Sequence, residues 1–250
     1  VHDGLERRAG VGWSQLAYPD VGVRFLASEL PDARVFTAFR FGSTFTGRRW
    51  PEQVASTNGN THGYPTAWLQ DVMGATSGED PQAFKRCVQA HGPEVALLPL
   101  ATPLSVSLLQ RRDWTLVAVG VCEAVFVRRD AMDSIWLAQH DLEHRLALGR
   151  APDWPSTPVD EPLLGLSRAR RPLAELGLTA LLFAAGYVAP ARELVEATRV
   201  EFPDDGEVLA LAGLLARMSG LTAEARELLQ RSLEVGGSQR FEDQVRAALR

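Results

Sequence analysis

Cysteine and lysine are scarce in this chain: there are two cysteines in 250 residues, and Lys85 is the only lysine. Cys87 and Cys122 lie far apart and belong to no CxxC or Cys/His ladder, which excludes a structural zinc site made of cysteines. They read as two separately buried thiols, with a disulfide between them as the alternative. Cys87 falls on the apolar side of a predicted helix with Phe84, Val88 and His91, and Cys122 opens a predicted strand. Nothing in the sequence brings their backbones within bridging distance. Long apolar runs are also missing, so no segment has the uninterrupted stretch a membrane span requires. There is no GxGxxG, no phosphate loop, no GxSxG and no cysteine paired in sequence with a base, and no cofactor is expected. A net charge of −5 offers no broad footprint for a phosphate backbone, which sets nucleic acid aside.

What is present is an ordinary globular composition, 46% hydrophobic and 23% charged, in a chain long enough for two modest domains. The chain starts at Val1 with no signal peptide ahead of it, from which we expect a processed or excised part of a longer protein.

The first half alternates helix and strand signals. Pro19 to Leu30 has Val23, Leu26, Ala27 and Leu30 at the spacing of one helical face, and Arg34 to Phe39 follows as a strand. FGSTFTGRRWPEQVASTNGNTHGYP is rich in Gly, Ser, Thr and Asn. It reads as loop around a short strand near Gln53 to Ser56. Asp80 and Pro81 signal the start of the helix PQAFKRCVQAH, and Gly92 its stop. EVALLPL suits a strand covered on both faces. Thr102 and Pro103 start another helix, and WTLVAVG with CEAVFVRR makes a hairpin at the sheet edge, turning at Gly120. The expected architecture is a layered α/β domain with a partly parallel sheet over residues 1–130. Residues 131–167 are a helix and a linker, RAPDWPSTPVDEP, broken by four prolines. Residues 168–250 are helical, rich in Ala, Leu, Glu and Arg.

That last segment repeats. ARELVEAT begins at Ala191 and ARELLQRS at Ala225, thirty-four positions later, and seven of the eighteen positions from Leu181 to Thr198 are identical at that shift. Gly186 falls on Gly220 and Ala189 on Ala223. With this period and phase the segment resembles the tetratricopeptide (TPR) repeat, a pair of helices per copy. The likeness is partial: Pro203 matches the repeat-ending proline, but Gly237 stands in its place in the second copy. The resemblance implies an all-α, TPR-like hairpin domain whose last segment, FEDQVRAALR, closes the stack. It also implies a groove lined by the first helices: Leu176, Ala180, Phe183 and Ala184 from one copy, Ala210, Leu214, Arg217 and Met218 from the next, the alternative being that some of them, Leu214 above all, pack against the α/β domain. Phe183, Arg217 and Met218 are the binding candidates there. The partner is a protein or peptide held in the groove, or the groove braces the membrane part of the same chain.

In the front half, YPDVGVRFLASELPDARVFTAFRFGSTFTGRRWPEQVASTNGN, EVALLPL, WTLVAVG and CEAVFVRRD together resemble the soluble tail of bacterial multi-pass membrane proteins. These are relatives of glycosyltransferases that use lipid-linked sugars. The likeness runs from Tyr18 to Asp130, with Phe41 and Gly42 at a turn. It implies an extracytoplasmic, periplasmic tail, the alternative being a cytoplasmic protein. QVASTNGN lacks the acidic residue usual in those tails, so no metal or sugar site is carried over to that loop. Asn58, Asn60, Thr61 and His62 could still donate hydrogen bonds to a glycan, beside the plainer reading of a polar loop.

HDLEH has the letters of a zinc-peptidase helix, with His140 and His144 as ligands and Glu143 activating water. The apolar stripe Ile135, Ala138, Leu142 and Leu146 turns both histidines toward a wet face. A third ligand would have to come from Glu224 or Glu227 in the repeats. The sequence therefore reads as a non-catalytic interaction module, with sugar contact for a membrane glycosyltransferase and zinc-dependent hydrolysis as alternatives.

Overall fold

The computed structural model describes residues 18–53, 55–57, 63–100, 102–142, 146, 172–236 and 241–250. The chain divides into two compact units, Val1–Arg145 and Leu146–Arg250. The first mixes helices with a small sheet and the second is helical among its described residues.

In the first unit, α1 (Asp20–Glu29) buries Val23 and Leu26. It leads into β1 (Val35–Thr37), whose three residues are all buried. β1 pairs in parallel with β2 (Val95–Pro99), Val35 opposite Val95 and Thr37 opposite Leu97. β4 (Glu123–Arg128) lies antiparallel on the far side of β2, and β3 (Trp114–Val119) lies antiparallel on β4. The strand order is β1-β2-β4-β3, so the expected partly parallel sheet is present. Of the expected edge hairpin, β3 is the outer strand and β4 is interior. β2 is buried along its whole length, the outcome its continuous apolar run requires.

FGSTFTGRRW is where the structure departs most from the expected loop. Phe39–Arg49 is a helix, α2, and the anticipated turn at Phe41 and Gly42 lies inside it. Phe41 and Phe45 are one turn apart and wholly buried, and that pair outweighs the poor helix preference of Gly, Ser and Thr. The strand before it shortens accordingly, because Ala38 is the extended N-cap of α2. The strand expected near Gln53 reduces to a single parallel bridge, Val35 to Ala55.

Helices α3 (Thr66–Ser77), α4 (Ala83–His91) and α5 (Pro103–Gln110) complete this part. Gly92 ends α4 with φ 54°, and the Thr102 side chain caps α5 by accepting from Ser105 N–H, both as the sequence indicates. Asp80 does not cap α4 directly; its Oδ1 accepts from Gln82 N–H ahead of the helix.

The short helix α6 (Ser134–His140) corrects the predicted stripe at Ile135 and Ala138, which are exposed, while Leu142 is buried as expected. Ile135 is 69% exposed, while Trp136 and Leu137 pack on the core of Val23, Leu26, Phe41 and Val125. The stripe needed a continuous helix through Leu146, but Asp141 is already extended, with ψ 102°. The larger indole takes the buried side instead, so the first unit extends beyond Asp130. The proline-rich linker lies outside the described residues.

The second unit contains α7 (Leu173–Ala184), α8 (Val188–Glu201), α9 (Gly206–Met218), α10 (Thr222–Val235) and α11 (Glu242–Leu249). The hairpin α7/α8 recurs in α9/α10 with the helix ends shifted by thirty-four: 184 to 218, 188 to 222 and 201 to 235. The turns share their two closing bonds. Gly186 and Gly220 have φ 86° and 80°, a left-handed backbone that glycine adopts without steric cost. Gly186 N–H donates to Phe183 O as Gly220 N–H does to Arg217 O; Tyr187 and Leu221 donate to Leu182 O and Ala216 O. Ala191 and Ala225 are buried where the helices of each pair approach. The last helix, α11, packs on α9 and α10 through Val245, with Phe241 buried just ahead of it.

Candidate functional site

Phe183 and Arg217 occupy the same position in successive hairpins, at the ends of α7 and α9, and Ala184 and Met218 the next one. Phe183 is half-buried, Ala184 and Arg217 are exposed, and Met218 is 61% exposed. The predicted groove is not open along its length. Leu176 and Ala210 are buried, and Ala180 and Leu214 are half-buried. The reason is composition: α7 and α9 are apolar nearly all round and bury most of their surface rather than one stripe. What remains accessible is the end at the turns. Short connections make consecutive helices antiparallel, so both glycine turns lie at the same end of the pair.

In the first unit the structure brings together residues that the sequence did not single out. Glu123 opens β4 opposite Pro99, beside the carboxyl ends of the parallel strands β1 and β2, where open α/β sheets hold ligands. The residue is 1% exposed. Oε1 accepts from Gly22 N–H at 3.0 Å, and Oε2 accepts from Cys122 N–H at 3.1 Å and Cys122 Sγ at 3.4 Å. Burial raises its pKa above the ordinary glutamate value, and the hydrogen bonds from Gly22 and Cys122 pull the other way. Gly120 is required beside it, because a Cβ there would lie 2.3 Å from Oε1. The carboxylate is thus spent as the N-terminal cap of α1.

The thiols are held protonated. Burial pushes Cys87 up to about 12, and burial with the Glu123 charge pushes Cys122 well above its usual range. On β1, Thr37 N–H donates to Ser56 Oγ at 2.9 Å. The Thr37 and Thr57 hydroxyls donate to each other's carbonyls at 3.4 and 3.5 Å. These bonds stand in for a ladder where the neighbouring segment makes one bridge among the described residues.

His140 is half-buried rather than on a wet face. Its ring stacks on Trp136, centroids 4.1 Å apart, and meets Phe25 edge-on at 6.0 Å. Nδ1–H donates to Trp136 O at 2.8 Å, and Nε2 lies 3.6 Å from Glu29 Oε2. Because α6 stops at His140, HDLEH is not carried on one continuous helix, and the one-turn geometry of a zinc pair is interrupted within the motif. Glu143 and His144 lie outside the described residues, as do Asn58, Asn60, Thr61 and His62. Asp141, the next acidic group, receives Arg129 at 2.7 Å.

A shallow cleft of 220 Å³ is lined by Arg34, Ser56, Trp68, His91 and Pro93. Trp68 Nε1–H donates to Ser56 O at 2.9 Å, and the indole packs 4.0 Å from His91. Arg34 is engaged there with Glu94 at 3.2 Å. Among the described residues no helix is long and apolar enough to cross a membrane. No protein-family model, curated protein or solved structure matches this chain.

Proposed function

We propose that the protein is a non-catalytic interaction module whose second unit is a pair of TPR-like hairpins that hold a segment of a partner protein at their turn end. The observation that supports this is the recurrence of the hairpin turn at a thirty-four-residue shift, with Gly186 and Gly220 in the same conformation. Such repeats stack because neither hairpin buries its apolar face alone, and they leave a shared surface for binding. Here that surface centres on Phe183, Arg217 and Met218. The membrane-tail resemblance of the first unit adds the setting: an extracytoplasmic part of an envelope protein, whose partner is another envelope protein or the membrane part of its own chain.

A photo-crosslinking residue at Met218, compared with one at the exposed Gln230 on α10, tests this in cells. The reading expects one saturable adduct specific to position 218, lost in the double variant Phe183→Ala, Arg217→Ala while helicity is retained. Equal labelling from both positions, or an adduct indifferent to the double variant, removes the reading.

A further inference from the structure

We infer that the exposed side of α2 is a docking surface for an anionic lipid bilayer, independent of the proposed role of the hairpins. Between Asp32 and Glu52 the chain holds four arginines and no acidic residue, within a protein of net charge −5. The helix sorts this stretch into two sides. Phe41 and Phe45 go to the core, while Phe39, Arg40, Ser43 and Gly47 face out. At about 100° per residue, Phe39, Ser43 and Gly47 form one stripe with Arg40 at its border. Trp50, just beyond the last turn, is 66% exposed, and Phe39 is 36% exposed.

The charges around the stripe stay positive after internal pairing. Asp20 is shared between Arg24 and Arg48, and Arg49 Nε–H donates to the neutral Gln53 at 2.9 Å. Arg40 lies over the Phe41 ring at 4.8 Å and reaches the Cys122 thiol, and it makes no ion pair among the described residues. Apart from Arg34, which pairs with Glu94, the arginines around the stripe, Arg24, Arg40, Arg48 and Arg49, thus face one carboxylate, Asp20. Tryptophan and phenylalanine settle at the headgroup boundary of a bilayer, and arginine is drawn to anionic headgroups.

Shape favours a bilayer over a protein. The stripe is one helix side about 16 Å long that offers Phe39, Arg40, Ser43 and Gly47 with Trp50 beyond, whereas each partner in a stable protein interface gives roughly 20–30 residues. A bilayer demands no matching groove. It is contacted by inserting an aromatic edge and leaving cations at the phosphates.

Gly47 supplies a test that the fold tolerates. A Cβ there meets nothing within 4 Å, and any residue but proline helps a helix more than glycine. The full chain is sedimented with phosphatidylcholine vesicles, with and without a minor share of phosphatidylglycerol, and separately titrated with polyglutamate. The expected result is partition onto the anionic vesicles, weakened by salt. Arg40→Gln and Gly47→Glu should each lower it about fivefold, the worth of one charge near an anionic surface. Trp50→Ala should lower binding to the same vesicles, with circular dichroism unchanged in all three variants. No partition, partition indifferent to these variants, or saturable binding of polyglutamate in place of vesicles overturns the inference, the last in favour of an acidic protein partner.

Discussion

Glu123 Oε1 and Gly22 N–H meet at 3.0 Å across 101 positions of sequence, and this bond ties the start of β4 to the first turn of α1. Truncation by Glu123→Ala leaves buried donors at Gly22 and Cys122 without an acceptor. The expected cost is about 2–3 kcal/mol of unfolding free energy, read from urea denaturation.

The same carboxylate sets a pH dependence. Burial raises its pKa in the folded state, so the fold holds the proton more tightly than the unfolded chain does. Its contribution to stability is therefore full below the ordinary glutamate value and is lost as pH rises through the folded one. Unfolding free energy measured across that interval should fall with pH for the natural chain. The slope should flatten in Glu123→Gln.

Two glycines separate packing from backbone freedom. A Cβ on Gly206 would lie 1.9 Å from the Gly236 carbonyl oxygen, a backbone atom that cannot swing aside. Gly206→Ala should cost about 3 kcal/mol or more, since either α9 or the end of α10 has to move. Gly47→Ala, on the open side of α2, should stabilise by about 0.5–1 kcal/mol. Equal melting temperatures for the two variants would contradict this packing.

Both thiols should resist alkylation at neutral pH. Cys87 is buried and pushed up to about 12, and Cys122 donates to Glu123. Iodoacetamide labelling followed by mass spectrometry should find neither modified in the folded chain and both modified in urea. Fast labelling of Cys122 alone would mean that its contact with Glu123 opens in solution.

His140→Ala removes a stacked ring and an edge contact, with Trp136 and Phe25. A loss of about 1–2 kcal/mol in stability is expected, from roughly 0.5–1.5 kcal/mol per aromatic pair. Zinc uptake by equilibrium dialysis should be the same in both proteins. Stoichiometric zinc that disappears with this substitution would restore HDLEH as a metal motif.

The features that the sequence determined by itself are those written locally or periodically. The thirty-four-residue recurrence placed both hairpins and their glycine turns, since helix ends depend on a few neighbouring residues and their capping bonds. Gly92 and Thr102 marked a helix stop and a start for the same reason, and the unbroken apolar run of β2 announced a strand buried on both faces. Tertiary structure decided the rest. FGSTFTGRRW is a helix only because Phe41 and Phe45 find a core to fill, a gain that local preference cannot register. Trp136 displaced Ile135 from the buried side because helix α6 ended early and the larger ring had more surface to remove from water. Leu176 and Ala210 were expected along a groove and are buried, because a helix apolar on all sides carries no mark of which side stays open. Glu123 caps α1 from 101 residues away, and an acidic side chain at the start of a strand shows nothing in sequence of the helix end it will meet.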